Sequence, residues 1–411
     1  MATRREKLNY VKFGSTDMMV TEACIGTMTW GSFNGKEEQA FAQLDKAVEL
    51  GANFIDTAEL YPVAFNYGKT TEVWIGKWLA ARRAEGKVDR SKLYIATKCN
   101  AAGIGSPLDE REGQPHGYDP EMLTASCKAS IERLQCEYID LYQLHWPSRD
   151  TPVFGCGQFY PDGKNRPPGF VDNGSPADFE KQVLAVKSLL DVGLIKHWGL
   201  SNENAYGITM FCVTCDRLGV PRPVSCQNDF SMLNRTYEAD TWEAAYRFGV
   251  VGLPYGGLAG GTLTGKYLGG SGEKFSPDRP LTECRHVNQP EFQARYGQPM
   301  CMKATEQYVK IAEKYDLTPT ELALAWTRQR PCNTSIITGT TTVRQMEECI
   351  KALMIDLSDE VLAEVDVVHE EFRNPVVFLS AEGKVLCLEA PWLGNKATSA
   401  SKAAAPTLNG C

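Results

Sequence analysis

The sequence predicts an α/β chain folded as a (β/α)8 TIM barrel, and three observations carry that expectation. Eight short, nearly continuous apolar runs recur along the 411 residues. Longer segments of helical period separate them. Two stretches rich in Gly, Pro and Asp follow directly after the third and fourth runs, where a barrel's functional mouth would stand.

The runs fall at residues 22–27, 53–58, 93–99, 139–145, 197–202, 223–229, 250–255 and 334–339. Most are rich in Ile, Val, Leu or Tyr, as strands of a parallel sheet buried on both faces are. In the first helical segment, 37–51, Ala40, Phe41, Leu44, Ala47 and Val48 share one stripe and Gly51 stands where a C-terminal cap belongs. Segment 120–137 opens with Asp119 as N-cap and Pro120 at the first helical position, and buries Leu123, Ile131 and Leu134. Segments 178–193, 204–219 and 237–249 each end in Gly; 305–315, 319–329 and 343–353 complete the set. Such alternation calls for right-handed parallel crossovers, and a count of eight favours closure over an open doubly wound sheet. Length alone would suggest two or three domains, but large barrels exceed the average as one unit.

Residues 100–118 and 147–176 do not fit the alternation and read as long mouth loops. From about residue 380 the composition thins, and residues 397–405 form an Ala/Ser-dominated run that reads as a mobile tail.

Composition removes other classes. With 43 Lys+Arg against 51 Asp+Glu the net charge is −8, the wrong sign for a dedicated nucleic-acid binder. No stretch approaches the length of an apolar membrane span, and no apolar segment follows Met1–Lys7 to make a secretory signal. A cytoplasmic setting is therefore expected, with the 14 cysteines as reduced, core-packed thiols. The one CxxC, Cys212-Val213-Thr214-Cys215, sits inside a predicted helix without a second pair, and the five His form no HExxH, so no metal site is expected. Gly260-Gly261-Thr262-Leu263-Thr264-Gly265-Lys266 fits most of a phosphate-binding P-loop, but Tyr267 stands where Ser or Thr is required.

Chemistry gathers at the run ends. Asp56 lies near the end of the second run with Tyr61 five residues on; Lys98 stands at the end of the third and His145 ends the fourth. Singly, these read as a helix cap, a loop-packing aromatic, a solvated lysine and a core imidazole. A barrel sets the strand ends side by side, and the four together suit carbonyl reduction. Hydride arriving at a carbonyl carbon leaves charge on oxygen, so a proton donor must stand within reach. Tyr61 is a weak acid with a pKa near 10 unperturbed. A neighbouring Lys98 ammonium is expected to lower that value, Asp56 to hold the cation, and His145 to orient the carbonyl oxygen.

The motifs Gly51-Ala52-Asn53-Phe54-Ile55-Asp56-Thr57-Ala58-Glu59-Leu60-Tyr61, Ile95-Ala96-Thr97-Lys98 and Leu141-Tyr142-Gln143-Leu144-His145-Trp146-Pro147 resemble the signature of the aldo-keto reductases. Ile25-Gly26-Thr27-Met28-Thr29-Trp30-Gly31, Gly199-Leu200-Ser201-Asn202-Glu203 and Gly261–Tyr267 resemble most the bacterial Tas-type, NADP(H)-dependent members. The resemblance spans residues 10–372, which gives one barrel domain and a C-terminal extension at 373–411. It implies NADPH-dependent reduction of an aldehyde or ketone to an alcohol, with Tyr61 as acid and Asp56, Lys98 and His145 as its partners.

The same resemblance assigns cofactor contacts. Ser201, Asn202 and Gln227 match residues holding the nicotinamide carboxamide, and Tyr255 the aromatic stacked on its ring. Gly26, Thr27, Met28, Gly256, Leu258 and Gly260 belong to the cofactor lining, and 256–266 to the pyrophosphate segment. Gly339, Thr341, Gln345 and Glu348 match the adenosine end, where residues 340–342 open a helix whose free N–H groups favour a phosphate. Lys266 and Arg279 are candidate counter-charges for a 2′-phosphate; each also reads as a surface charge. Two positions depart from the family pattern, which usually has Ser at Gly256 and Asn at Cys349. Losing two neutral hydrogen bonds costs about 1 kcal/mol each, roughly 30-fold in affinity together.

Trp30 and Trp146, with Phe65, Phe159 and Tyr160, are candidate substrate walls, or pack beneath the loops. A small carbonyl compound is the implied partner, with the tail or insertions as a place for a protein partner. The alternative function is a reductase-fold subunit with a structural or regulatory role, as in potassium-channel beta subunits, since barrels host many functions.

Overall fold

A computed structural model describes residues 2–31, 36–62, 70–100, 118–149, 151–152, 159, 178–269, 272–275, 277, 280–290 and 292–376. Eight parallel strands form its central sheet: β1 Ala23–Gly26, β2 Phe54–Asp56, β3 Tyr94–Cys99, β4 Ile139–Leu144, β5 Ile195–Ser201, β6 Ser225–Gln227, β7 Val251–Gly252 and β8 Ile336–Gly339. They follow the order β7-β6-β5-β4-β3-β2-β1-β8. The two edges meet: Thr334 donates its N–H to the Gly252 carbonyl at 2.9 Å and Ile337 to that of Pro254 at 3.0 Å, with a parallel bridge at Gly252–Asn333. Each predicted run overlaps one strand, with β5 starting two residues earlier than the run that predicts it.

Helices pack outside the sheet where the period places them, and their caps explain where they begin. The Asp119 side chain accepts from the Glu121 N–H at 3.0 Å with Pro120 next to it, opening Pro120–Leu134. Thr318 and Glu321 cap Pro319–Gln329 reciprocally. Segment 237–249 begins with a π turn, Tyr237–Thr241, before the helix Trp242–Phe248.

Among the described residues, two long helices lie beyond the sequence reading, Thr70–Ala84 between β2 and β3, and Asp359–Glu371 after the barrel. The first was hidden because its buried face carries Thr71, Glu72 and Gly76 beside Ile75, Trp78 and Leu79. Glu72 accepts from the Thr97 hydroxyl at 2.6 Å and pairs with Arg133 at 2.7 Å, so a carboxylate occupies a core position. A Cβ on Gly76 would stand 2.1 Å from the Arg133 carbonyl oxygen, which fixes how closely this helix meets Pro120–Leu134.

The barrel interior holds Cys24, Phe54, Ala96, Leu141, Val224, Leu253 and Ile337. An N-terminal hairpin, Tyr10–Lys12 with Met19–Thr21, closes its lower end by inserting Phe13, Met18 and Val20. Phe13 meets Phe54 edge-on with centroids 5.3 Å apart. Filling one end in this way leaves the carboxyl ends of the strands for polar groups. Residues 101–117, most of 147–176, and 377–411 with the predicted tail lie outside the described residues.

Phe13→Ala is expected to lower stability by about 3–5 kcal/mol, the usual cost of emptying an aromatic core site. A lower urea midpoint reads that loss, and an unchanged midpoint would show that the hairpin does not plug the barrel.

Candidate active site

Parallel register brings the predicted residues to one rim. Asp56 ends β2, Lys98 lies in β3 opposite Gln143 of β4, and Ser201 of β5 pairs with Gln227 of β6. His145 and Asn202 are the residues immediately after β4 and β5.

Lys98 has no exposed side-chain surface and Asp56 only 2%. The three hydrogens of the ammonium are all used: Nζ donates to Asp56 Oδ2 at 2.7 Å, to the Thr57 carbonyl at 2.8 Å and to Tyr61 Oη at 3.3 Å. The Tyr61 oxygen therefore accepts, and its own proton is directed elsewhere. His145 stands beside Tyr61, its ring edge-on to that phenol with centroids 5.7 Å apart and stacked on Trp146 at 5.1 Å.

Burial pushes the Tyr61 phenol above its ordinary value, more than the Lys98 ammonium pulls it down, and the Asp56 charge adds to the rise. This corrects the sequence expectation: the ammonium acts in the anticipated direction, but desolvation of the phenolate outweighs it. Burial opposes the charge on Lys98 as well, yet Asp56 and Tyr61 more than offset it and hold the ammonium above its usual value. Burial, aided by Lys98, holds His145 well below the imidazole range, so it is neutral at pH 7. The site thus combines a protonated phenol, a permanent cation and a neutral imidazole.

The residues assigned to the nicotinamide end join the same network. Tyr255 donates its hydroxyl to Asn202 Oδ1 at 2.7 Å, and Asn202 Nδ2 donates to the His145 carbonyl at 2.9 Å and to Ser201 Oγ at 3.1 Å. Asn202 sits at φ 59°, a turn that aims its amide back over the rim. Gln227 Nε2 donates to Asp56 Oδ1 at 2.9 Å. Thr27 ties the loop after β1 to the carbonyl of Asp56 at 3.0 Å, while Gly26 lies where a Cβ would crowd Ile337 and Thr338. Met28 and Leu258 are half-buried.

Farther round, Gly260 and Gly261 carry the segment that the sequence assigns to the pyrophosphate through positive φ. The Lys266 charge reaches Cys349, on the helix Val343–Ala352, as does that of Glu348. Thr342 caps that helix, and Thr341 donates through its N–H and its hydroxyl to Gln345 Oε1, each at 3.0 Å. Glu348 is exposed and accepts from Arg344 at 2.7 Å. Gly339 is exposed, with open space where a Cβ would stand. Arg279, Phe65 and Tyr160 lie outside the described residues. Of the two tryptophans, Trp146 is half-buried beside His145, whereas Trp30 is wholly buried in the main core with its carbonyl accepting from Thr71 Oγ1 at 3.1 Å.

Two features escaped the sequence reading. Gln143 Nε2 donates to Asp56 Oδ1 at 3.1 Å and its Oε1 accepts from Gln227 Nε2 at 3.1 Å. It precedes His145 by two, so strand alternation was the signal that could have found it. Gly256 is explained by Asp229, whose carboxylate accepts from the Tyr296 hydroxyl at 2.6 Å and from Arg295 Nε at 3.0 Å. A Cβ at Gly256 would lie 2.7 Å from Asp229 Oδ1 and 2.8 Å from Tyr296 Oη, at φ 79°, so a serine there would collide with this buried cluster.

Among the described residues no group of three or more His, Cys, Asp or Glu is arranged to hold a metal ion. Cys212 and Cys215 lie buried within the helix Ala205–Leu218, each thiol pushed up to about 12 by desolvation. No described helix is long and apolar enough to cross a membrane.

Comparison with known proteins places this arrangement. A family model described as the Aldo/keto reductase family matches residues 22–370. Protein tas of Escherichia coli is 34% identical over 370 residues, covering 90% of this chain and 99% of that protein. The uncharacterized oxidoreductase YrpG of Bacillus subtilis is 28% identical, covering 86% and 94%. A putative voltage-gated potassium channel subunit beta of Schizosaccharomyces pombe is 28% identical, covering 83% and 87%.

The buried imidazoles set a pH dependence. His145 is held well below its ordinary value and His286 is pushed down to about 3, both chiefly by burial. Each stays neutral in the folded protein but binds a proton in the unfolded chain below a pH of about 6.5. Stability should therefore fall as pH drops from 7 to 5, by up to about 1.4 kcal/mol per pH unit for each ring. Urea midpoints at pH 7, 6 and 5 should decline less steeply in His286→Gln; an equal slope would remove His286 as a source.

Proposed function

The chain belongs to the aldo/keto reductase family of oxidoreductases, and from that premise we propose that it reduces an aldehyde or ketone to an alcohol with NADPH, Tyr61 giving the proton. The observation that carries this reading is the buried Lys98 ammonium, bonded at once to Asp56, the Thr57 carbonyl and Tyr61 beside a neutral His145.

The residues present fit such a cofactor. Ser201, Asn202 and Gln227 would hold its carboxamide, Tyr255 would stack on the ring, and the segment from Gly256 to Lys266 would run along the pyrophosphate. The open main chain at Gly339 beside the Thr342-capped helix suits a phosphate. Lys266 would supply a counter-charge to a 2′-phosphate, with Arg279 a further one by sequence. When bound, the reduced nicotinamide supplies hydride to the carbonyl carbon.

The chain's own groups do the rest. The His145 ring, neutral, orients the carbonyl oxygen without competing as an acid. Tyr61 Oη gives its proton to that oxygen, and the phenolate charge then falls opposite Lys98 Nζ. Asp56 keeps the ammonium in place through the cycle. Trp146, stacked on His145, is the described aromatic beside the substrate space. A cytoplasmic setting and a small carbonyl substrate belong to the same proposal. A second reading, a barrel subunit with a structural or regulatory role, is favoured by the name of the Schizosaccharomyces pombe relative.

Loss of NADPH absorbance with a panel of aldehydes and ketones tests both readings. Tyr61→Phe should bind NADPH but turn over at least about 100-fold more slowly, the scale of positioned acid catalysis. Equal turnover in the variant refutes Tyr61 as the acid, and no turnover in either protein favours the second reading.

A further inference from the structure

Gln143 lies within the motif at residues 141–147 but is given no role there, and it is fully buried in β4 at the centre of the rim. Three hydrogen bonds close a ring there. Asp56 Oδ1 accepts from Gln143 Nε2 at 3.1 Å and from Gln227 Nε2 at 2.9 Å, and Gln143 Oε1 accepts from Gln227 Nε2 at 3.1 Å.

The chemistry of the groups fixes the sense of each bond. A carboxylate only accepts, so both amides turn their NH2 groups toward Asp56. The remaining contact, between Gln227 Nε2 and Gln143, then requires an oxygen on Gln143. Both N–H bonds of Gln227 are used inward, one on Asp56 and one on Gln143. What Gln227 has left to offer a ligand is its Oε1, an acceptor.

We propose that Gln143 is a positioning residue that, together with Asp56, keeps both Gln227 N–H bonds turned inward, so that the site selects a ring carrying a carboxamide, which brings N–H donors, over one carrying a carboxylate. The inference rests on the dinucleotide reading above and adds to it the device that keeps the second Gln227 N–H from a ligand. Without Gln143 one Gln227 N–H loses its partner and only the bond to Asp56 still turns the amide inward, so that N–H is freed to meet a ligand carboxylate. A buried amide left unpaired is costly, which is why the native ring holds a single orientation. The ring also joins the group that reads the cofactor to Asp56, the group that holds Lys98.

The test compares Gln143→Met and Gln143→Leu, which keep the volume and remove the amide, with the native protein. Binding of NADP+, of its nicotinic acid analogue and of adenosine 2′,5′-bisphosphate is measured by calorimetry. The native protein should prefer the carboxamide form strongly. Each variant should lose about 10-fold of that preference while binding adenosine 2′,5′-bisphosphate as before, the scale of one displaced hydrogen bond to a charged ligand group. An unchanged preference overturns the proposal, and so does loss of the bisphosphate in both variants, which would mark Gln143 as a packing residue. A native protein that binds none of the three refutes the dinucleotide reading itself, whereas normal native binding with an unaltered ratio in the variants refutes only the role of Gln143.

Discussion

An ammonium and a carboxylate stripped of water at the mouth of the barrel are the constraint to which the rest answers. Taking both Lys98 and Asp56 out of solvent costs several kcal/mol for each ion, and their attraction offsets this only when the remaining donors and acceptors are also satisfied. Lys98 places its three hydrogens on Asp56, Thr57 and Tyr61; Asp56 takes Lys98 on one oxygen and two glutamine amides on the other. Removing Asp56 or Lys98 alone would leave the other as a buried charge without its counter-ion. A set this closed holds one geometry, which is what a reaction that moves a single proton between fixed atoms requires.

Only a rigid frame can hold such a set, and a parallel barrel provides it by backbone bonding rather than by loops. The groups come from β2, β3, β4 and β6, neighbours in the sheet apart from β5 between the last two. Slipping one strand by a single residue would turn its polar side chain out of the rim and an apolar one into it. The hairpin that fills the far end with Phe13, Met18 and Val20 completes the division, dry packing below and a polar rim above.

How much of this was legible in the sequence follows from where the physics is local. Strands buried on both faces announce themselves as apolar runs, so Asp56, Lys98 and His145 stood out as polar residues at run ends. Thr70–Ala84 did not, because its inner face is made of Thr71, Glu72 and Gly76, whose burial depends on Thr97, Arg133 and the backbone of another helix. Gln143 lies within the motif at residues 141–147, but one amide in an apolar strand has no meaning until Asp56 and Gln227 are seen around it. Gly256 read as a lost contact; in space it is the room that Asp229 and Tyr296 occupy. The direction of the Tyr61 shift was misjudged for the same reason: the neighbouring cation is visible in the sequence, but the degree of desolvation is not.

That raised value is no obstacle to an acid. A donor at neutral pH has to carry its proton when substrate arrives, and a phenol held above its ordinary value does so throughout the working range. Catalysis depends on interactions that strengthen as the reaction proceeds, not on those already present in the ground state. Before transfer, Lys98 meets a neutral hydroxyl oxygen at 3.3 Å, the longest of its three bonds. In the proposed transfer that oxygen would become an anion facing a cation in a water-poor site, and the longest bond of the ammonium would become its strongest new attraction. The same burial that makes the phenolate costly also leaves the Lys98 field unscreened by water. Desolvation and the ammonium therefore act in opposite directions on the resting pKa, but in the proposed reaction they would serve one end: a proton held until the carbonyl oxygen needs it, and a charge caught once it has gone.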